Sequence, residues 1–212
     1  FATYGFVGDT ERNRWGRGRR TGFERELRRH ALDVSVFTPT PSALRLIDRE
    51  RFCGWLKSKR TPLAIFAAND RIAVQCVSCC RSLGIDIPKD VAILGVDNNE
   101  MICENVSVPL SSISLDFESI SYHGARLLAN VLDGLCPGTT TQLIAPTGVK
   151  VRRSTDILTA EDSNMAKALE LIRTNFKHPY GATQLSESLG FSRAKVDRLF
   201  ANALGRSIGE EI

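Results

Sequence analysis

The sequence predicts an α/β doubly wound parallel-sheet lobe followed by an all-α helix-turn-helix segment. Three observations carry that expectation. Short apolar runs of strand length alternate with helix-length amphipathic runs from Phe1 to Val151, the signature of consecutive βαβ units. Several strand-like runs end in Asp and Asn, at the edge where such sheets bind ligands. In the last third, two apolar stripes at helical spacing flank a glycine. Met165, Leu169, Ile172 and Phe176 fall at i, i+4, i+7 and i+11, and Val196, Leu199, Phe200 and Ala203 at i, i+3, i+4 and i+7.

Taken in order, Phe1 to Val7 reads as a buried strand. Gly18 to His30 reads as a helix with Phe23 and Leu27 on one face, and Leu32 to Phe37 alternates like a strand. Pro41 and Ser42 open a helix through Leu44, Ile47, Phe52 and Leu56. Leu63 to Ala68 is a strand ending at Asn69-Asp70, and Ile72 to Leu83 a helix stopped by Gly84. Val91 to Val96 is a strand ending at Asp97-Asn98-Asn99. Ser111 to Phe117 gives a further strand, Tyr122 to Leu135 a helix closed at Gly134, and Gln142 to Val151 a strand interrupted at Pro146. Arg152 to Asn164 is polar and reads as a linker. In the tail, Gly190 breaks the chain, Ser192 sits where an N-cap belongs, and Gly205 where a C-cap belongs.

With 42% apolar and 25% charged residues, the composition is that of a soluble globular chain of one or two domains. No run approaches the ~20 apolar residues of a membrane span. Phe1 leads directly into a strand-like run, with no charged n-region or cleavage site, so no secretory signal is read. The chain starts and ends in mid-architecture, as a fragment would. Six cysteines occur, at 53, 76, 79, 80, 103 and 136. Cys76-x-x-Cys79-Cys80 lies in an apolar helical run without a second ligand pair, so free thiols in a reducing cytosol are expected, with no metal. From Thr159 onward seven Lys/Arg balance seven Asp/Glu. The positive excess lies earlier, notably at Arg12, Arg14, Arg17, Arg19, Arg20, Arg25, Arg28 and Arg29.

The strand ends suit a polyhydroxylated ligand. A carboxylate accepts two hydroxyl hydrogen bonds, and an amide both donates and accepts. Asp9, Asn69, Asp70, Asp97 and Asn98 are the candidates. Arg19 offers a fork of donors, and Trp15 or Phe117 an aromatic face for a sugar ring. Asp70 fits capping of the next helix as well as binding; Asp97 has no helix directly after it and fits binding better. In the tail, Ser192 to Leu204 is the candidate recognition helix. Its apolar stripe faces the core and turns Arg193, Ala194, Asp197 and Arg198 outward, with Lys195 nearer the edge. Arg198 can bridge a guanine edge and Lys195 suits phosphate. Asp197 fits only a cytosine amino group or an Arg-orienting role. His30, His123 and His178 have no partners at catalytic or metal spacing, and no nucleophile elbow or phosphate loop is present, so no enzyme and no cofactor are expected.

The residues also carry a resemblance. Leu63 to Asp70 followed by Ile72-Ala73, then Gly84-Ile85-x-Ile87-Pro88-x-Asp90 through Gly95-Val96-Asp97, Pro109-Leu110-Ser111-Ser112-Ile113 and Arg19-x-x-Gly22-Phe23 resemble the effector lobe of LacI/GalR-type regulators, a periplasmic-binding-protein-like fold, over residues 1–154. The resemblance implies that Arg19, Asn69, Asp97 and Phe117 line an effector cleft. Leu185 to Ser192, with Leu199-Phe200 and Gly205-Arg206-Ser207-Ile208, resembles the first helix-turn-helix of the AraC/XylS family, with Ser186 where Ala is usual. LacI-type proteins carry their DNA-binding domain in front, whereas here the reader is behind. The combination is similar to the xylose-operon regulators, and Val149 to Asp156 resembles their joining segment. By that resemblance, residues 1–154 are the C-terminal ligand lobe with a crossover helix at about 117–135, and 155–212 a linker and a truncated first helix-turn-helix.

The expected function is therefore a sugar-responsive bacterial transcription regulator in the cytoplasm, taking a small sugar such as D-xylose or another pentose. The expected partners are operator DNA and a second copy in a homodimer, with RNA polymerase as a further candidate and no membrane. Two rivals stand beside it. A periplasmic sugar-binding transport protein would share the lobe but not the tail or the cysteines. A receiver-type response regulator would need an acidic pair at the end of the first strand, where only Asp9 occurs.

Overall fold

In the computed structural model, which describes residues 1–8, 13–39, 48–157, 163–174, 181–204 and 207–211, the chain divides into two units, Phe1–Ile157 and Leu158–Ile212. The first unit holds one six-stranded sheet in the order β2-β1-β3-β4-β5-β6. Its strands are β1 (Thr3–Val7), β2 (Val34–Phe37), β3 (Leu63–Ala67), β4 (Val91–Asp97), β5 (Ser111–Ser114) and β6 (Gly148–Lys150). The first five run parallel, while β6 pairs antiparallel with β5 and closes one edge.

Apolar alternation splits the core between the two faces of the sheet. Val7, Leu63, Ile65, Ala67 and Ile93 point to one face, against Phe52 and Leu56 of α2 (Arg49–Lys57), Ala73, Cys76 and Cys80 of α3 (Asp70–Ser82) and Cys103 of α4 (Glu100–Cys103). Phe6, Phe66, Ala68 and Val96 point to the other, where Phe23 of α1 (Arg14–Arg29) packs. The Phe23 and Phe66 rings lie 5.1 Å apart. Burial pushes the thiols of Cys79 and Cys80 up to about 11 and about 12, and all six cysteines are free.

Several boundaries differ from the sequence reading. α1 begins at Arg14, four residues before Gly18, where the sequence reading opens it. Residues 40–47, the expected start of the second helix, lie outside the described residues; α2 starts where Asp48 accepts from the Arg51 N–H at 3.2 Å. α5 (Phe117–Leu132) starts five residues before Tyr122, because Asp116 accepts from the N–H and the hydroxyl of Ser119 at 2.8 and 2.7 Å. The strand expected over Gln142 to Val151 shrinks to three exposed residues beyond Pro146, which has no N–H for a ladder.

The polar stretch after Val151 begins inside the lobe, not in a linker. Arg153–Thr155 form a 3-10 turn, and Ser154 is fully buried. Its hydroxyl donates to the Ile93 carbonyl at 2.6 Å and accepts from the Ser111 N–H at 2.8 Å. Arg152 and Ser111 exchange bonds of 2.7 and 2.8 Å. These polar side chains satisfy backbone groups that would otherwise be buried without partners.

The second unit contains α6 (Ser163–Thr174), α7 (Ala182–Leu189), α8 (Arg193–Leu204) and α9 (Ile208–Glu211). Met165, Ala168, Leu169, Leu185, Val196, Phe200 and Ile208 form its core. Gly190, at φ 68°, ends α7. The Phe191 N–H reaches the Ser186 carbonyl at 3.0 Å and the Gly190 N–H reaches that of Glu187 at 3.1 Å, a Schellman motif that a left-handed glycine allows. The Ser192 carbonyl accepts from the Val196 N–H at 3.1 Å, so Ser192 holds the N-cap position of α8. Phe176, His178 and Gly205 lie outside the described residues. Among the described residues no helix is long and apolar enough to cross a membrane.

Gly5, Gly8 and Gly95 each make a close approach that a Cβ would disturb, and the tightest is at β4. A Cβ on Gly95 of β4 would overlap the Asp70 carboxylate. Gly95→Ala is expected to destabilise the lobe by about 1–3 kcal/mol, read as a lower urea midpoint with an unchanged slope.

Candidate functional site

The parallel registers bring the carboxyl ends of four strands to one edge. Val7 lies opposite Ala67, Phe66 opposite Leu94, and Asp97 opposite Ser114. The chain reverses its direction across the sheet between β1 and β3, the position at which doubly wound sheets bind ligands. Arg19 of α1 spans this crevice. Its Nη1 donates to the Ala68 carbonyl at 2.5 Å and its Nη2 to Asp97 Oδ1 at 3.1 Å. The guanidinium lies 4.9 Å from the Trp15 ring centroid. The side chains of Arg19 and Asp97 are 22% and 35% exposed, so the pair sits at the solvent boundary and can share its donors and acceptors with a ligand.

Asp97 and Asn98 both adopt positive φ, 107° and 49°, a conformation that costs non-glycine residues on the order of 1–3 kcal/mol each. The surrounding bonds hold the turn. The Asn98 N–H donates to Ser112 Oγ at 3.0 Å, and Arg152 Nη1 to Asn98 Oδ1 at 2.9 Å. The Asn99 N–H donates to Asp70 Oδ2 at 2.8 Å. A helix does follow, since α4 begins at Glu100, but its cap is Asn99, which accepts from the Ile102 N–H at 3.3 Å. Asp97 is left pointing at Arg19. Burial raises its pKa above the usual carboxylate range, Arg19 opposes that rise, and the nearby Asp70 carboxylate adds to it.

The neighbouring pair divides differently from the sequence reading. Asn69 caps α3, accepting from the Ile72 N–H at 3.0 Å. Asp70 neither caps nor faces solvent. It is 1% exposed, and Oδ1 accepts from the Ser112 hydroxyl at 2.6 Å while Oδ2 takes Asn99. Both of its oxygens are thus engaged inside the lobe, which removes it from the ligand-facing set. Trp15 and Phe117 are 40% and 54% exposed; Phe117 opens α5 just beyond the end of β5. Asp9 lies outside the described residues.

Two positions escaped the sequence reading. Ser112 looks like an ordinary strand residue, yet it links the Asn98 backbone to Asp70. Arg152, assigned to a linker, has a side chain only 7% exposed that contacts Asn98, the Leu110 carbonyl at 2.9 Å and Glu104 at 3.4 Å.

In the second unit, α8 buries Val196 and Phe200 and exposes Arg193, Ala194, Lys195 and Arg198, with Asp197 half-buried. Arg193 lies 4.0 Å from Asp197. Arg198 Nε donates to the Ala194 carbonyl at 3.4 Å. The Lys195 ammonium sits 3.7 Å from the Phe191 ring centroid. Among the described residues no group of three or more His, Cys, Asp or Glu could hold a metal ion. His30 lies 3.8 Å from Glu26, and His123 Nδ1 3.3 Å from Gln142 Nε2; His178 is outside the described residues.

Comparison with known proteins agrees with this geometry. The model of the periplasmic binding protein-like domain matches residues 1–155. The xylose operon regulatory protein of Haemophilus influenzae is 27% identical over 214 residues, which is all of this chain and 55% of that protein. The protein of the same name from Escherichia coli K12 is 28% identical over 160 residues, covering 76% of this chain and 41% of its own length. The chain thus spans about half the length of the curated relatives it matches. The solved structure of the xylose-binding transcription activator xylR superimposes with a TM-score of 0.68 at 25% identity, over 99% of this chain and 56% of that one. The lac repressor dimer bound to operator, at 19% identity, shares the fold with a TM-score of 0.61 over 73% of this chain and 52% of its own. These relatives are transcription regulators and not enzymes.

The raised pKa of Asp97 gives a signed prediction. Between its ordinary value and the raised one, the native state holds this proton more tightly than the unfolded state, so stability falls as pH rises. The contribution is complete below the ordinary Asp value and is lost through the raised one. Asp97→Asn is expected to remove that component, so the wild-type-minus-variant difference in urea midpoint should slope downward from about pH 4 upward. A difference flat with pH would mean that Asp97 has no raised pKa.

Proposed function

The chain belongs to the periplasmic binding protein-like domain family, and from that premise we propose that it senses a small sugar for a bacterial transcription regulator acting in the cytoplasm. The observation that carries this reading is the Arg19–Asp97 pair spanning the strand-end crevice beside a strained turn. Residues 1–157 are the effector lobe, three residues longer than the sequence reading placed it, and residues 158–212 hold an AraC-type helix-turn-helix. The alignment with the Haemophilus influenzae regulator supports the second assignment, because it runs through the whole chain.

In this reading, sugar hydroxyls accept from Arg19 and Asn69 and donate to Asp97, while Trp15 and Phe117 cover the apolar faces of the ring. Binding favours one arrangement of the Asp97–Asn98 turn through these differential contacts. Arg152 grips Asn98 five residues before the lobe ends at Ile157 and relays the state of the turn toward the second unit. There α8 reads operator DNA, with Arg198 on a base edge, Lys195 on phosphate, and Arg193, Ala194 and Asp197 beside them. Two copies act together, since pseudo-palindromic operators match a two-fold dimer. The names of the relatives make a pentose, D-xylose first, the effector to test.

A thermal-shift panel of pentoses and hexoses on the intact protein tests the sugar assignment. One pentose is expected to raise Tm. Asp97→Ala and Arg19→Ala are each expected to weaken its binding by ~2 kcal/mol or more, about 30-fold by calorimetry. Unchanged affinity in either variant would remove that residue from the site. For DNA, Arg198→Ala is expected to cost about 1–3 kcal/mol on the operator and to relax preference at one base pair. Lys195→Ala should weaken operator and random duplex alike, with the salt dependence reduced by about one phosphate contact. Equal losses on both DNAs for Arg198→Ala would exclude base reading by that residue.

A further inference from the structure

α1 carries more positive charge than the sugar site uses. Its 16 residues hold seven arginines and two glutamates, a net +5, whereas the entire chain is +4. Arg19 serves the strand-end crevice. Glu24 is engaged by Arg20 at 2.6 Å and Glu26 by Arg29 at 3.0 Å, so both carboxylates of the helix are taken by its own arginines. Arg14, Arg17, Arg25 and Arg28 are all exposed. At 3.6 residues per turn they lie within roughly 80° of one another and span about 21 Å of helix. Phe23, which packs on the sheet, is on the opposite side. Between the two arginine pairs the same side carries Gly18, Thr21 and, at its margin, Glu24, whose carboxylate Arg20 holds. A Cβ at Gly18 would meet nothing within 4 Å, so the middle of the stripe is low and open.

We propose that this stripe is a second nucleic-acid contact, a sequence-independent seat for the phosphate backbone of duplex DNA. The proposal rests on the reading of the protein as a DNA-binding regulator. Charge complementarity carries the choice of partner. Duplex DNA presents a stiff array with one negative charge per about 1.7 Å of axis, and a straight row of guanidinium forks matches it. A small anion would need the arginines to converge, and these are spread along the helix. A membrane surface would need apolar side chains between the charges, and that side of α1 has Gly18, Thr21 and Glu24, none of them a large apolar residue. Single-stranded nucleic acid would need interleaved aromatic platforms, and the stripe contains none.

The test measures binding of the protein to a 30-bp random-sequence duplex by fluorescence anisotropy across salt. The variants are Arg14→Gln/Arg17→Gln/Arg25→Gln/Arg28→Gln, its two constituent pairs, and the fourfold Arg→Lys counterpart. Raising salt from 50 to 200 mM should weaken the wild type about 100-fold more than the fourfold Gln variant, from the loss of about four phosphate contacts. Each pair should remove about half of that slope, and the Lys variant should keep most of it. An unchanged thermal melt and sugar-induced Tm shift establish that the variants are folded. A Gln variant with the wild-type salt slope, or a wild type that does not bind the duplex at 50 mM salt, overturns the proposal. In a parallel vesicle-sedimentation arm, a fourfold Gln variant that keeps duplex binding but loses binding to phosphatidylserine vesicles also overturns it. Absence of any sugar response alongside the slope change would count against the effector reading and leave the stripe standing.

Discussion

The Asp70 carboxylate is the interaction on which the strand-end region depends. A buried charge is costly unless its lone pairs are filled, and here the filling is structural. Ser112 reaches it from β5, the Asn99 N–H reaches it from the turn after β4, and Gly95 leaves the room it occupies. Three successive strands, β3 through the start of α3, β4 and β5, are tied through one side chain. The consequence is local strain elsewhere. With the Asn99 N–H drawn to Asp70 and the Asn98 N–H to Ser112, Asp97 and Asn98 are held at positive φ, and Asp97 is aimed across the crevice at Arg19. Positioning of the Asp97 carboxylate therefore depends on a second carboxylate, Asp70, buried inside the lobe.

The same network reaches the end of the lobe. Arg152 satisfies the Leu110 carbonyl and Asn98 together, and the following residues close onto Ser111 and Ile93. A rearrangement of the Asp97–Asn98 turn cannot leave Arg152 unaffected without abandoning a nearly buried guanidinium to incomplete pairing. The geometry thus joins the strand-end turn to the chain that leads out of the lobe by direct hydrogen bonds.

Much of this was legible in the sequence, and the failures share a cause. β1, β3 and β4 are buried on both faces and appear as unbroken apolar runs. The stripe of α8 and the Gly190 stop follow from helical period and left-handed backbone. Arg19 and Asp97 were read as candidates for one site, and the fold brings their side chains within 3.1 Å of each other. What periodicity missed was polar. Asp116 starts α5 before any apolar pattern begins, Asn99 starts the short α4, and Asn69 takes the cap that Asp70 was equally suited to supply. Arg152 and Ser154 were taken for linker because composition cannot distinguish a polar side chain that faces water from one that satisfies a buried carbonyl. Their roles depend on long-range partners, Asn98 and Ile93, which no local window contains.

The distribution of charge bears on how such a protein would hold DNA. The second unit balances seven basic against seven acidic residues from Thr159 onward, and on α8 Asp197 lies within reach of Arg193. Such a surface offers directional groups for base edges but little net attraction for a polyanion. Phosphate contacts supply most of the salt-dependent affinity and fix register, while base contacts choose the sequence. A reader poor in net charge therefore binds tightly only when phosphate contacts come from elsewhere. In this chain the surplus is concentrated on α1, whose own carboxylates are already engaged. On the proposed reading the charges divide the labour, with α8 supplying selectivity and α1 supplying attraction.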